Sequence, residues 1–198
     1  MTREKSCHSS GDPDIFHLPP GDTSLAGTMQ EGRDFMFAVL REVDFTGADF
    51  YWALFHEAVL DGAIMTGCDL RGAVFNKASL CGANLQRADL GHDNLGGTTD
   101  FVGADLSGAD LRVARIGGAN FTGARLVGAD LRGARSASAL PDRVACFDGA
   151  DLTDARLDGT DLKGASYDAA TVFPRRFRPD RAGMVMRKVR DKGRWKDR

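Results

Sequence analysis

The sequence predicts an all-β solenoid, a parallel β-helix of square cross-section, and three observations point to it. A large apolar residue recurs at every fifth position: Phe35, Leu40, Phe45, Phe50, Phe55, Leu60, Met65 and onward. A small residue, most often Ala, stands two places before it, as in Ala48, Ala83, Ala104, Ala129 and Ala150. Gly is the commonest residue two places after it. A period of five fits neither the 3.6 of a helix nor the 2.0 of a strand, so neither element alone buries both apolar columns. A coil that turns a corner every five residues does. Ala lets four walls converge, Leu or Phe fills the centre, and Gly supplies the backbone freedom of the corners.

Taken in order, the first segment, residues 1–32, reads as an irregular N-terminal cap, because Pro19 and Pro20 forbid a long helix. The repeat then runs over residues 33–172. Centres continue through Leu95, slip by one residue near 96–100, and resume at Phe101, Leu106, Leu111, Ile116, Phe121, Leu126 and Leu131, with Ser136 in the next slot. The stretch 136–146 breaks the pattern at Pro141 and predicts a loop off the rod. A last block has centres at Phe147, Leu152, Leu157, Leu162, Tyr167 and Val172. Stacked at about 4.8 Å per rung, these units predict about six to seven coils and about 30 Å of rod. Residues 173–198 form a closing motif and a basic tail; with few large apolar residues beyond Gly183, much of that tail is expected to be mobile.

The units ADFYW, ADLRG, ANLQR, ADLSG, ANFTG, ADLTD and TDLKG resemble the A(D/N)LxX consensus of the pentapeptide repeat family. That resemblance implies a right-handed quadrilateral β-helix, often dimeric through a C-terminal element. Its best understood members resemble B-DNA in shape and charge and protect DNA gyrase or topoisomerase IV from quinolones and other poisons. A type II topoisomerase is thus the implied partner, and a homodimer the implied assembly. Phe173 and Pro174 occupy the place of the family's closing motif, with Phe177 placed to plug the open coil. Arg175 and Arg176 replace its usual acidic residues.

Charge divides the chain in three. Its formal net charge of -2 conceals an acidic repeat body and a strongly basic tail that nearly cancel. Sorting the positions before each centre, with one residue carried over at each slip, places Asp49, Asp69, Asp89, Asp110, Asp130 and Asp151 in one column. Six stacked carboxylates read as a phosphate-like ladder for a DNA-binding surface. They read equally as turn caps, since Asp bonds nearby backbone N–H groups. A neighbouring column reads Asn94, Arg115, Arg135 and Arg156, while Arg71, Arg112 and Arg132 follow their aspartates by two and offset them. Tyr51 and Trp52, on an outward corner, are candidate aromatic anchors. Arg175, Arg176, Arg187 and Lys188 are candidate tail contacts to nucleic acid or an acidic partner.

Chemistry is sparse. His8, His17, His56 and His92 are scattered, and no catalytic or nucleotide-binding motif is present. No catalytic residue, metal or cofactor is assigned. Cys7, His8 and His17 are the one conceivable metal set, and His92, near Asp89, Asp93 and Asp110, the one candidate acid/base group. Cys7, Cys68, Cys81 and Cys146 lie too far apart for a disulfide framework. No apolar stretch is long enough for a membrane span and the first thirty residues hold no apolar signal core, so a cytoplasmic protein is expected. The reading that results is a non-enzymatic interaction rod directed at a type II topoisomerase. Its alternatives are a scaffold for other proteins and an enzyme or ligand binder with a pocket at the rod's end or loop.

Overall fold

A chain that repeats every five residues has to satisfy its backbone between successive coils, and it does so through four parallel ladders. The computed structural model describes residues 24–92, 95–136 and 143–187. Face I carries Ser24, Asp44, Ile64, Asn84, Asp110, Asp130 and Arg156; face II carries Met29, Asp49, Asp69, Asp89, Arg115, Arg135 and Asp161. Face III carries Asp34, Leu54, Val74, Asp100, Asn120, Cys146 and Ser166; face IV carries Val39, Val59, Ser79, Asp105, Arg125, Asp151 and Val172. Each rung uses the same two bonds. The centre's N–H donates to the next coil, as Phe121 N to Cys146 O at 2.7 Å, and the preceding residue's N–H donates to the previous coil, as Cys146 N to Ala119 O at 2.9 Å.

The corners are β-turns closed by a bond such as Ala48 N to Phe45 O at 2.9 Å. Their third residue lies at positive φ, the mark of type II turns. Gly is therefore at ease there, while Val113 holds a φ of 62° in a region hostile to β-branched residues. Inside, the Ala column and the large centres are fully buried, and Cys68 takes an Ala slot with its Sγ donating to Phe45 O at 3.0 Å. Burial pushes its thiol pKa up to about 12. On face III the centres Phe35, Phe55, Phe75, Phe101, Phe121 and Phe147 stack ring on ring, with centroids 4.6–5.2 Å apart.

Four expectations are corrected. The coil is already running at Ser24, within the segment read as an irregular cap: Leu25 N donates to Asp44 O and Gln30 N to Asp49 O. A polar residue in a centre slot hid it; Gln30 is only 5% exposed and is satisfied by Thr28 and Arg33. Leu95 is no centre but 83% exposed. The first interruption adds six residues rather than one, since Asp89 pairs with Arg115 where neighbouring rungs differ by twenty. Its base is closed by an antiparallel His92–Thr98 bridge, and Thr99 takes the inward small slot, its Oγ1 donating to Leu70 O at 2.7 Å. The second interruption adds six more between Ser136 and Ala145, where the buried Ser136 Oγ accepts from Ala145 N at 2.9 Å.

Val172 likewise faces outward, 48% exposed, and Phe173 packs inward in its place. Nor is the whole tail loose. Strand β1 (Ser166–Tyr167) pairs in parallel with β2 (Val185–Met186), so the chain returns to face III before Arg187. Tyr167, Phe173 and Phe177 stack in sequence at the closing end, at 5.3 Å per step.

Two substitutions test this arrangement. Val113→Gly should raise stability by about 0.5–1 kcal/mol, since relief of a left-handed β-branched residue exceeds the entropy of Gly. Phe121→Ala, in the middle of the ring stack, should cost about 3–5 kcal/mol. Urea unfolding midpoints measure both.

Candidate interaction surface

The aspartates stand where the turn needs them. In each of the six singled out, Oδ1 accepts the backbone N–H two residues on: Asp49 from Tyr51, Asp69 from Arg71, Asp89 from Gly91, Asp110 from Arg112, Asp130 from Arg132 and Asp151 from Thr153. Turn capping is thus a role they all share. A single column of six does not form. Asp49, Asp69 and Asp89 stack on face II, Asp110 and Asp130 on face I, and Asp151 on face IV. The physical reason is the length of the interruptions: six residues, a whole pentad plus one, carry each downstream aspartate one wall away from where a one-residue slip would put it.

The arginines rearrange with them. Arg115 and Arg135 continue the ladder of Asp89, and Arg156 that of Asp130; Asn94 lies outside the described residues. Arg115 Nη1 lies 3.3 Å from Asp89 Oδ2 and Arg156 Nη1 3.6 Å from Asp130 Oδ2. The offsets two residues on are bidentate: Arg112 Nε reaches both oxygens of Asp110 at 2.9 and 3.0 Å, and Arg132 Nε both of Asp130 at 2.8 and 3.0 Å. Arg71 holds Asp69 in the same way and lies over the Tyr51 ring, 5.5 Å from its centroid. Face II thus runs from an acidic upper half to a basic lower one. At its upper corner, Trp52 is 44% exposed and its indole lies over Gly72, where a Cβ would come within 3.1 Å.

These contacts set the carboxylate chemistry. Hydrogen bonds from Arg132 hold Asp130 below its ordinary range, against a smaller opposing effect of burial. Burial pushes Asp69 upward, but the Arg71 bonds outweigh it and the net shift is down. Asp151 is lowered by the Thr153 hydroxyl and N–H. His92 makes no bond to a carboxylate among the described residues; its Nδ1 sits 3.5 Å from Gly117 O and it packs over Gly118. Among the described residues no cluster of three His, Cys, Asp or Glu has the geometry to hold a metal. Cys7, His8 and His17 lie outside them, as does Lys188.

Arg187 joins the rod, its N donating to Tyr167 O and its Nη1 lying 3.3 Å from Asp148 Oδ2. Arg175 and Arg176 lie elsewhere, beside a cleft of about 350 Å³ at the closing end of face I, lined by Ala155–Asp158 and Pro174–Phe177. Sequence reasoning missed that cleft because it arises where the chain leaves the five-residue pattern. No helix among the described residues is long and apolar enough to cross a membrane.

Four parallel ladders around an Ala and Leu/Phe interior define a β-solenoid whose chemistry lies on its outer walls. The chain belongs to the pentapeptide repeat family: eight copies of the repeat match over residues 34–72, 65–97, 99–135 and 145–166. Known structures of that family are right-handed β-helices. The chain is similar to the pentapeptide repeat protein alr5209 of Nostoc PCC 7120, at 30% identity over 68% of this chain and 84% of that one, with a TM-score of 0.35. HetL of the same cyanobacterium, a pentapeptide repeat protein involved in heterocyst differentiation regulation, is 29% identical over 77% and 84%, with a TM-score of 0.36. QnrB1, a plasmid-mediated fluoroquinolone resistance protein, is 23% identical over 74% and 84%, with a TM-score of 0.41. No curated protein matches the chain in sequence.

The lowered carboxylates predict acid sensitivity of a definite sign. A folded pKa below the unfolded value near 3.9 contributes stability that is full above that value and is lost as pH falls through the folded one. Thermal melts should therefore be level above about pH 5 and decline below about pH 4. Asp130→Asn keeps the turn cap, and its melts should decline less over the acid range.

Proposed function

We propose that the rod is a non-enzymatic interaction module that presents face II to the DNA-binding surface of a type II topoisomerase and shields that enzyme from a quinolone-like or self-produced poison. The observation that carries this reading is the stack of Asp49, Asp69 and Asp89 on consecutive rungs, about 4.8 Å apart, beside the exposed Trp52 and its neighbour Tyr51. A duplex presents one phosphate per about 3.4 Å on each strand, so three rungs answer a short stretch of backbone rather than a long one. Asp69 and Asp89 each carry an arginine offset, which leaves Asp49 as the trio member with no ion pair among the described residues. The aromatic pair supplies the apolar anchor that a charged patch lacks. Residence in the cytoplasm, where such a partner works, belongs to the same proposal.

A second reading, a scaffold for acidic partners, is favoured by one specific feature. Arg87, Arg112, Arg115, Arg132 and Arg135 gather on the lower half of face II and its edge with face I.

Replacing Asp49, Asp69 and Asp89 together by Asn removes the charge while retaining the turn-capping oxygen. In a DNA supercoiling assay with a gyrase poison, the wild-type chain should restore supercoiling, and the triple variant should need at least tenfold more protein. Asp110→Asn with Asp130→Asn, on face I, should behave as wild type. Full protection by the triple variant, or none by the wild type at any concentration, would discard the topoisomerase reading. Pull-down of partners that survives the triple Asn change but fails on charge reversal of Arg115 and Arg135 would establish the scaffold in its place.

A further inference from the structure

We infer that the closing end of face I is a binding site for an acidic, extended peptide segment, and that its occupant is the stretch around Asp14 of a second copy of this chain. The site is a missing rung. One coil earlier, Leu131 N donates to Arg156 O and Arg156 N donates to Ala129 O. On the far side of Arg156 the equivalent groups stand open: among the described residues Leu157 N donates to no backbone oxygen and Ala155 O accepts no backbone N–H. An open strand edge of this kind is a template for strand addition.

The cleft of about 350 Å³ lies along that edge. Its floor is apolar, with Leu157 and Phe177 half-buried, and its rim is cationic. Arg175 and Arg176 make no ion pair among the described residues, and Arg176 is held at a φ of 73°, a strained position for a side chain of its size.

The ladder itself specifies what fits. An added strand places one residue outward beside Arg156 and the next inward on Leu157. Elsewhere on the rod the residue facing an arginine across a rung is Asp, as in Asp105 with Arg125 and Asp130 with Arg156. The required sequence is therefore small, Asp, apolar, with further acids to meet Arg175 and Arg176. Asp12–Pro13–Asp14–Ile15 provides it. Pro in the small slot loses nothing, because that slot's N–H bonds only within its own turn, as Ala129 N does to Leu126 O. Asp14 N–H would then donate to Ala155 O, and Leu157 N–H to Asp14 O.

A second copy is needed for reasons of length. Ser24 begins face I, and the missing rung lies seven steps below it, about 34 Å away. Once residues 13–15 lie across the rung, the nine links from Ile15 to Ser24 span at most about 32 Å, with no slack for the turns at either end. The chain's own residues 188–198 begin nearby, but their six basic and two acidic side chains would set cations against three arginines.

A fluorescein-labelled peptide of residues 10–18 tests the site, titrated by fluorescence anisotropy into full-length protein carrying Asp14→Lys and Ile15→Asp, so that the protein's own segments do not compete. Saturable binding is expected, weakened at least tenfold by added salt, by Asp14→Lys in the peptide, or by Arg156→Glu in the protein. Arg156→Gln, the milder change, should weaken it in the same direction. In sedimentation, the wild-type chain should associate at concentrations where the Asp14→Lys, Ile15→Asp protein is monomeric. Equal binding of the Asp14→Lys peptide, or identical sedimentation of the two proteins, would overturn the assignment. Binding that rises when residues 188–198 are removed would make the tail the occupant and overturn it equally. None of these readouts involves topoisomerase protection, so the two proposals fail separately.

Discussion

Everything in this molecule follows from the two backbone hydrogen bonds that tie each rung to the coils above and below it. Because they recur in the same slot on all four walls, side chains in equivalent slots stack directly over one another. The inward slots then have to agree in size along the whole rod, which is why the column of small residues scarcely varies. The outward slots are free of that demand, and the rod's individuality is written there.

The same bonds explain why one residue type serves two ends. Asp before the centre caps the next corner wherever it occurs, and stacking converts a local turn requirement into a row of carboxylates. Charge along the row is then controlled by the residues that interrupt it. Arg115 and Arg135 replace acid with base on face II, and Arg71, Arg112 and Arg132 fold back onto the aspartates that cap their own turns. The bonds that lower the Asp130 pKa are thus also bonds that reduce the field it presents to a partner.

The architecture was legible in the sequence because a five-residue period admits one closed form, and the inward slots of Phe35, Ala48 and Leu131 carry an unmistakable size signal. What stayed hidden lay in departures from the period. Gln30 occupies a centre while being polar, so the first coil went unread; its amide is satisfied by Thr28 and Arg33, a contact no pattern announces. Leu95 and Val172 have the right size in the wrong register. Most consequential was the length of the interruptions. Spacing alone gives a phase modulo five, so one residue and six residues look alike, and only the observed pairing of Asp89 with Arg115 assigns Asp110, Asp130 and Asp151 to their walls. The cleft beside Arg156 was illegible for a related reason, since it is made by a strand that is missing.

Both interruptions leave the rod at the same corner, between faces II and III, and each leaves the walls downstream in phase with those upstream. A pentad gained or lost within a wall would act differently, turning the remainder of the rod by a quarter revolution and sliding the arginines of face II onto an adjacent side. Length and angular bearing are therefore coupled in this fold. The two excursions are the places where sequence is added without rotating one half of the surface against the other.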